Sequence, residues 1–231
     1  MSTVLITGGN RGLGFEAGRQ LIALGHDVWL SSRDERSGKA AADQLGARFV
    51  QLDVTDDESV WAAASHVGSD PAGLDVLVNN AGIGSPAKAA EDITAAGVAA
   101  IYETNVIGLV RVIHAFLPLL MASSNGVIVN VGSGLGSLTR MSDPSTHESQ
   151  FPRVDYGSSK SAVSMLTVQY ALLLPQLRVN VVNPGWTATD FTDHQGTQTV
   201  GEGVIAIVKA ATFGPDGPTG RFIDRYGNVP W

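Results

Sequence analysis

The sequence predicts an α/β fold: a doubly wound parallel sheet of about seven strands with helices on both faces, in a single domain over residues 1–231. Three observations lead there. Short runs rich in Val, Ile and Leu alternate with Ala- and Leu-rich stretches of helical period. The runs are continuously apolar, the pattern of strands buried on both faces. The composition suits a globular core, with 44% hydrophobic and 16% charged residues, so a disordered chain is excluded.

The elements follow in order. Residues 3–7 form a first strand that runs into a glycine-rich turn. A helix over 13–24 comes next, with Gly25 placed to end it in a left-handed turn. Strands over 27–31, 48–52 and 75–79 alternate with helices over 37–45 and 57–67. A long helix over 95–121 leads to a strand over 126–131. A helix over 155–174 and strands over 178–182 and 221–223 complete the set. Two long irregular stretches, 132–154 and 184–199, follow the carboxyl ends of strands, where such sheets bind ligands.

Charge and composition narrow the function. A net charge of −7 argues against nucleic acid, whose phosphates require a basic footprint. Cysteine is absent, which excludes disulfides, thiolate nucleophiles and zinc–thiolate sites. The five histidines have no metal-ligand spacing, so no metal is expected. His147 and His194 fall in the irregular stretches, whereas His26, His66 and His114 read as packing residues. Val4-Leu5-Ile6 is too short for a signal-peptide core, and no unbroken apolar run has the length of a membrane helix. The expectation is a cytoplasmic protein with a small-molecule substrate, no nucleic acid and no membrane.

The turn Thr7-Gly8-Gly9-Asn10-Arg11-Gly12-Leu13-Gly14 carries the first chemistry. Glycines let the backbone approach a ligand closely, and the N-terminus of the following helix suits a pyrophosphate. Ser32 and Arg33 end the second strand, where an acidic residue would bind the ribose of NAD. A guanidinium there pairs instead with a 2′-phosphate, and Arg11 adds a second positive charge, so NADP(H) is favoured. The alternative is that Arg33 is a surface charge paired with Asp34 or Glu35.

These residues, with others downstream, make the chain resemble a classical short-chain dehydrogenase/reductase of the carbonyl-reductase branch, built on a Rossmann-type sheet. The resemblance spans nearly the whole sequence. The turn matches the family's cofactor motif. Asp53-Val54 resembles its adenine-contacting pair, and Asn80-Ala81-Gly82 its motif after the fourth strand. Asn105 and Ser133 stand where the family has catalytic residues, and Tyr156 and Lys160 form its Y-x-x-x-K signature. Pro184-Gly185 follows the sixth strand as in the family, and Thr187, with Thr189, resembles the hydroxyl that meets the nicotinamide or pyrophosphate. Two features depart from the pattern. Residues 138–151 read as extra chain, shorter than the branch's insertion, that shapes the substrate pocket. Gly132 replaces a commoner serine, which leaves Ser137 as a second candidate for the serine role.

The resemblance implies an NADPH-dependent reductase of ketones or aldehydes. Tyr156 would donate the proton, and Lys160, four residues on and so on the same helix face, would lower its pKa and bind the nicotinamide ribose. Ser133 would steady the carbonyl oxygen, and Asn105 would hold a water linking Lys160 to solvent. Trp186 and Phe191 fit a lid over an apolar substrate. The long middle helix and the Tyr156 helix form dimer faces in the family, which implies a homodimer or homotetramer. A second reading is a non-catalytic NADP-binding regulatory protein.

Overall fold

The computed structural model describes residues 1–86 and 89–231. Alternate residues of each strand point to opposite faces, and here both faces are apolar. Val4 and Ile6 of β1 (Thr3–Ile6) join one core layer, while Leu5 joins the other. In β4 (Val76–Asn79), Val76 and Val78 face the first layer and Leu77 the second. The continuously apolar strands therefore carry two cores rather than one, which is why helices cover both sides.

β2 (Asp27–Ser32), β3 (Arg48–Gln51), β5 (Val127–Val131), β6 (Arg178–Val182) and β7 (Phe222–Asp224) complete the parallel sheet. An antiparallel edge, β8 (Gly227–Asn228), brings the order to β3-β2-β1-β4-β5-β6-β7-β8. That is one strand more than expected, because a 2-residue strand has no readable period. The order reverses beside β1, so the ends of β1 and β4 border a switch-point crevice.

Helices α1 (Gly12–Ala23) and α2 (Glu35–Leu45) bury Ala17, Leu21, Ala41 and Ala42 on one face. Gly25, at φ +86°, follows the end of α1 in the left-handed conformation. α3 (Asp57–Gly68) covers the opposite face. The single helix expected over 95–121 is instead α4 (Ala95–Tyr102), a π-helical stretch Glu103–Ile107, and α5 (Gly108–Ala122). Such π turns disturb the regular ladder and are common at functional sites. By length and composition Ala95–Ala122 is apolar enough to cross a membrane, although Glu103, Asn105 and Arg111 interrupt its apolar run. In this fold its apolar side, with Val112, Ile113, Phe116 and Leu120, covers the sheet.

The stretch after β5 is less irregular than expected, since it contains α6 (Leu138–Ser142). The Tyr156 helix is α7 (Val154–Leu173). Two short helices follow that the periodicity does not reveal, α8 (Val200–Gly203) and α9 (Ile205–Ala211). α9 buries Ala206, Ile207, Ala210 and Ala211 beside α1, but a 7-residue segment is too short to show a helical period. The chain's last residues return to α6: the Thr139 amide donates to the Trp231 carbonyl at 2.8 Å, and Trp231 stacks on Phe222.

Candidate active site

The glycine turn is fixed by backbone bonds. Gly8 and Gly12 sit at φ +63° and +56°, which disfavour other residues. At Gly14 a Cβ would lie 2.6 Å from both the Asn80 Nδ2 and the Gly8 carbonyl oxygen, so the turn closes only on glycine. Asn80 Nδ2 donates to the Thr7 and Gly8 carbonyls at 2.9 and 3.0 Å. The Asn80 and Ala81 amides both donate to Thr7 Oγ1 at 3.0 Å. Asn80 and Ala81 thus brace the turn from the end of β4. No side chain caps α1, which leaves its first N–H groups to a ligand, and Leu13 packs on the core. Asn10 donates to Ser37 Oγ at 3.2 Å. Arg11 is exposed and pairs with Asp190 at 3.2 Å.

Ser32 is buried at the end of β2, and its hydroxyl donates to the Asp34 carbonyl at 3.0 Å. Arg33 is exposed and, among the described residues, makes no ion pair with Asp34 or Glu35. Asp34 is engaged elsewhere, capping α2 through the Ser37 amide at 2.8 Å. Burial raises the Asp53 pKa, but hydrogen bonds from Thr55 and the charges of Arg33 and Arg111 outweigh it, so the carboxyl is held below its usual range. The neighbouring Val54 is buried, and its carbonyl accepts from Arg111 at 2.6 Å.

The four residues expected to act together do meet. Ser133 follows β5 and its side chain meets Tyr156 near the start of α7. Lys160 is buried, donates to the Val131 carbonyl at 2.8 Å, and lies 5.7 Å from the centre of the Tyr156 ring. Burial pushes the Tyr156 phenol up to about 12, with the Ser133 hydrogen bond opposing it. Burial also pushes Lys160 down to about 8. The expected lowering of the phenol by Lys160 is therefore not seen: desolvation dominates, and the ammonium points at a carbonyl rather than at the phenol oxygen. Asn105 lies in the π stretch. Its side chain is held by Ile83, accepting from the amide at 2.8 Å and donating to the carbonyl at 2.9 Å, and it donates to Ser159 at 3.1 Å. Gly82 lies beside Asn105 and Lys160: a Cβ there would be 3.3 and 3.6 Å from Asn105 Oδ1 and Lys160 Nζ.

After β6 the chain turns at Pro184 and Gly185, the latter at φ +75°. Thr187 is buried and donates to the Pro184 carbonyl at 3.2 Å. Thr189 is buried next to the glycine turn, its methyl 3.8 Å from where a Cβ on Gly12 would stand. Aromatic side chains gather beyond. His147 lies 4.7 Å from Phe151 and 5.3 Å from Trp186, and Phe191 lies 5.6 Å from Tyr156, ring centre to ring centre. His194 pairs with Asp190, while His66 and His114 meet Trp29 and Trp61 edge-on. Ser137 drops out as a second serine candidate: it is fully buried, caps α6 and donates to the Pro230 carbonyl at 2.7 Å. The described residues contain no cluster of three or more metal-ligating side chains.

A family model described as short chain dehydrogenase matches residues 2–199. The chain belongs to the short-chain dehydrogenase family. This dehydrogenase is 36% identical to a short-chain dehydrogenase, anuI, of Penicillium roqueforti, over 96% of this chain and 93% of that protein. It is 33% identical to carbonyl reductase [NADPH] 3 of Rattus norvegicus, over 95% of this chain and 94% of the relative. Among solved structures it resembles the NADPH-bound carbonyl reductase from chicken fatty liver, with a TM-score of 0.87 and 28% identity, covering 100% and 99% of the two chains. The dehydrogenase is thus a carbonyl-reductase-like oxidoreductase.

Two residues of the site escape the sequence reading. Asp155, beside Tyr156, is buried and accepts from Ser85 at 2.5 Å and from the Tyr156 amide at 2.8 Å. Asn183, just before Pro184, accepts from the amides of Gly134 and Gly185, both at 3.0 Å. Neither has a spacing that announces it; each matters through the backbone it holds.

Proposed function

We propose that this dehydrogenase reversibly reduces a ketone or aldehyde to an alcohol, with NADP(H) as its cofactor. One observation carries the reading: Tyr156 is set between Ser133 and Lys160 at the carboxyl edge of the sheet, on the side of the glycine turn. The uncapped α1 terminus and the closed cradle at Gly14 fit a dinucleotide pyrophosphate. When bound, the cofactor supplies the hydride, which no side chain can.

The residues of this chain would share the remaining work. Gly8, Asn10, Gly12, Leu13 and Gly14 would form the pyrophosphate cradle. Ser32 and Arg33 would take the 2′-phosphate, with Arg11 adding charge once released from Asp190. Asp53 and Val54 would border the adenine. Asn80, Ala81 and Gly82 would border the cofactor from β4, and Pro184, Gly185, Thr187 and Thr189 from the loop after β6. Lys160 would hold the nicotinamide ribose and, through it, gain partners for its buried ammonium. Ser133 would donate to the substrate oxygen as charge develops there. Tyr156, which burial keeps protonated, would donate the proton to the substrate oxygen. Asn105 would hold the π stretch against α7 and keep a water path to Lys160.

The test follows cofactor oxidation at the nicotinamide absorbance, with NADPH and NADH, over a panel of ketones and aldehydes. Turnover with NADPH in preference to NADH is the expected result. Turnover with NADH alone would remove the Arg33 argument. NADPH binding without turnover across the panel would favour a regulatory NADP-binding protein. The proposal extends to a homodimer or homotetramer, supported by the exposed Met165, Leu172 and Leu173 on α7. A monomer by light scattering would remove that part.

A further inference from the structure

Residues 189–194 fold back onto the glycine turn. The segment opens at Thr189, whose methyl stands 3.8 Å from where a Cβ on Gly12 would be, and makes one tight turn over Asp190–Thr192. Thr192 Oγ1 donates to the Thr187 carbonyl at 2.6 Å, and the His194 amide donates to the Thr189 carbonyl at 2.9 Å. Asp193 and His194 both sit in the left-handed region, at φ +48° and +58°, which residues with a side chain rarely occupy in succession. Phe191 stands against Gly84 and beside Tyr156.

This bend carries the Asp190 carboxylate to the start of α1. Both of its oxygens are engaged there. Oδ2 accepts from Arg11 Nη1 at 3.2 Å, and Oδ1 meets His194 Nε2 at 3.1 Å. Arg11 is the residue just before Gly12, where α1 begins. Among the described residues, Asp190 is the only carboxylate that pairs with it. An arginine grips a phosphate best through two parallel N–H groups, and one terminal nitrogen of Arg11 is already taken. A phosphate that needs this guanidinium must therefore draw it away from Asp190. A ribose with a plain 2′-hydroxyl makes no such demand.

Resting on the reading of Arg11 as a partner of the 2′-phosphate, we infer that Asp190 is a specificity-determining residue. Its carboxylate competes with the 2′-phosphate of NADP(H) for the Arg11 guanidinium, and so weakens NADPH binding while leaving NADH binding alone. The ion pair is exposed on both sides, so the competition is worth a few-fold in affinity rather than orders of magnitude.

Calorimetric titration of the parent protein and its variants with NADPH and NADH, at low salt, tests this. Asp190→Asn keeps the size of the side chain and removes its charge. It should tighten NADPH about threefold to fivefold, the range of one surface ion pair, and leave NADH within error. The gain should shrink as salt is added, because exposed charges are screened. Asp190→Ser should act in the same way, so the result does not depend on how the asparagine packs. Arg11→Gln completes a double-mutant cycle: in its background Asp190→Asn should no longer change NADPH affinity. Unchanged NADPH affinity in both Asp190 variants, equal tightening of the two cofactors, or a full gain in the absence of Arg11 would each overturn the inference alone. NADPH affinity that Arg11→Gln leaves unchanged would overturn the reading of Arg11 and the inference with it.

Discussion

The glycine turn of residues 7–14 and the segment of residues 138–151 both sit at the carboxyl edge of the sheet, but different forces hold them. The turn is locked by main chain: Gly9 donates to the Ser31 carbonyl at 2.8 Å, Thr7 to Val78 at 3.0 Å, and Asn80 reaches two further carbonyls. The later segment is held by side chains. Arg140 bridges Glu148 and Asp224, Ser137 clamps Pro230, and His147 packs against Phe151 and Trp186. A main-chain lock admits few residues, because a Cβ at Gly9 or Gly14 would collide and Gly8 and Gly12 need a positive φ. A side-chain lock admits many combinations. The first region therefore reads as cofactor machinery common to the family, and the second as the part free to choose a substrate.

Substitutions should separate the two. The largest effect belongs to Tyr156→Phe, which removes the proton donor and should lower kcat about a thousandfold while NADPH still binds by titration. Retained activity would move the acid elsewhere. Next, Arg33→Glu should raise the KM for NADPH about a hundredfold and leave that for NADH within a few-fold, measured on one carbonyl substrate. Equal changes for both cofactors would mean that Arg33 does not read the phosphate.

Gly14→Ala tests the main-chain lock directly. Its Cβ would crowd the Gly8 carbonyl and Asn80, and denaturant unfolding should show a loss of about 2 kcal/mol. A stability within error of the parent would show that the turn can open.

Lys160 gives a pH test. Its folded pKa, about 8, lies below its ordinary value of 10.5. Below pH 8 the folded protein bears the full cost of a buried ammonium. Between about 8 and 10 the folded state sheds the proton while the unfolded state keeps it, so stability rises with pH by up to ~1.4 kcal/mol per unit. The melting temperature of the cofactor-free protein should rise through that window relative to Lys160→Met. Parallel curves would refute the assignment. The smallest effect is expected from Trp186→Ala in the side-chain-held region: KM should rise a few-fold and kcat stay within twofold.

The same contrast explains what was legible in the sequence. Strands buried on both faces announce themselves as unbroken Val–Ile–Leu runs, so the parallel sheet could be read directly. The glycine turn and the Tyr156–Lys160 spacing were visible because each is a local pattern. The interruption at Glu103–Ile107 was not, since no glycine or proline within Glu-Thr-Asn-Val-Ile marks a break. The brace made by Asn183 and the burial of Asp155 were hidden for another reason: both depend on partners more than forty residues away in the chain. The burial of Tyr156, which pushes its phenol up, was also hidden, because a lysine four residues on says nothing about how dry the pocket is.

The most direct test of the central claim uses NADPH deuterated at the transferable position of the nicotinamide, with the best carbonyl compound of the panel. The account predicts that the label appears on the carbinol carbon of the product, seen by mass spectrometry or NMR, while the hydroxyl proton comes from solvent. An unlabelled carbinol carbon, or no alcohol formed at all, would contradict it.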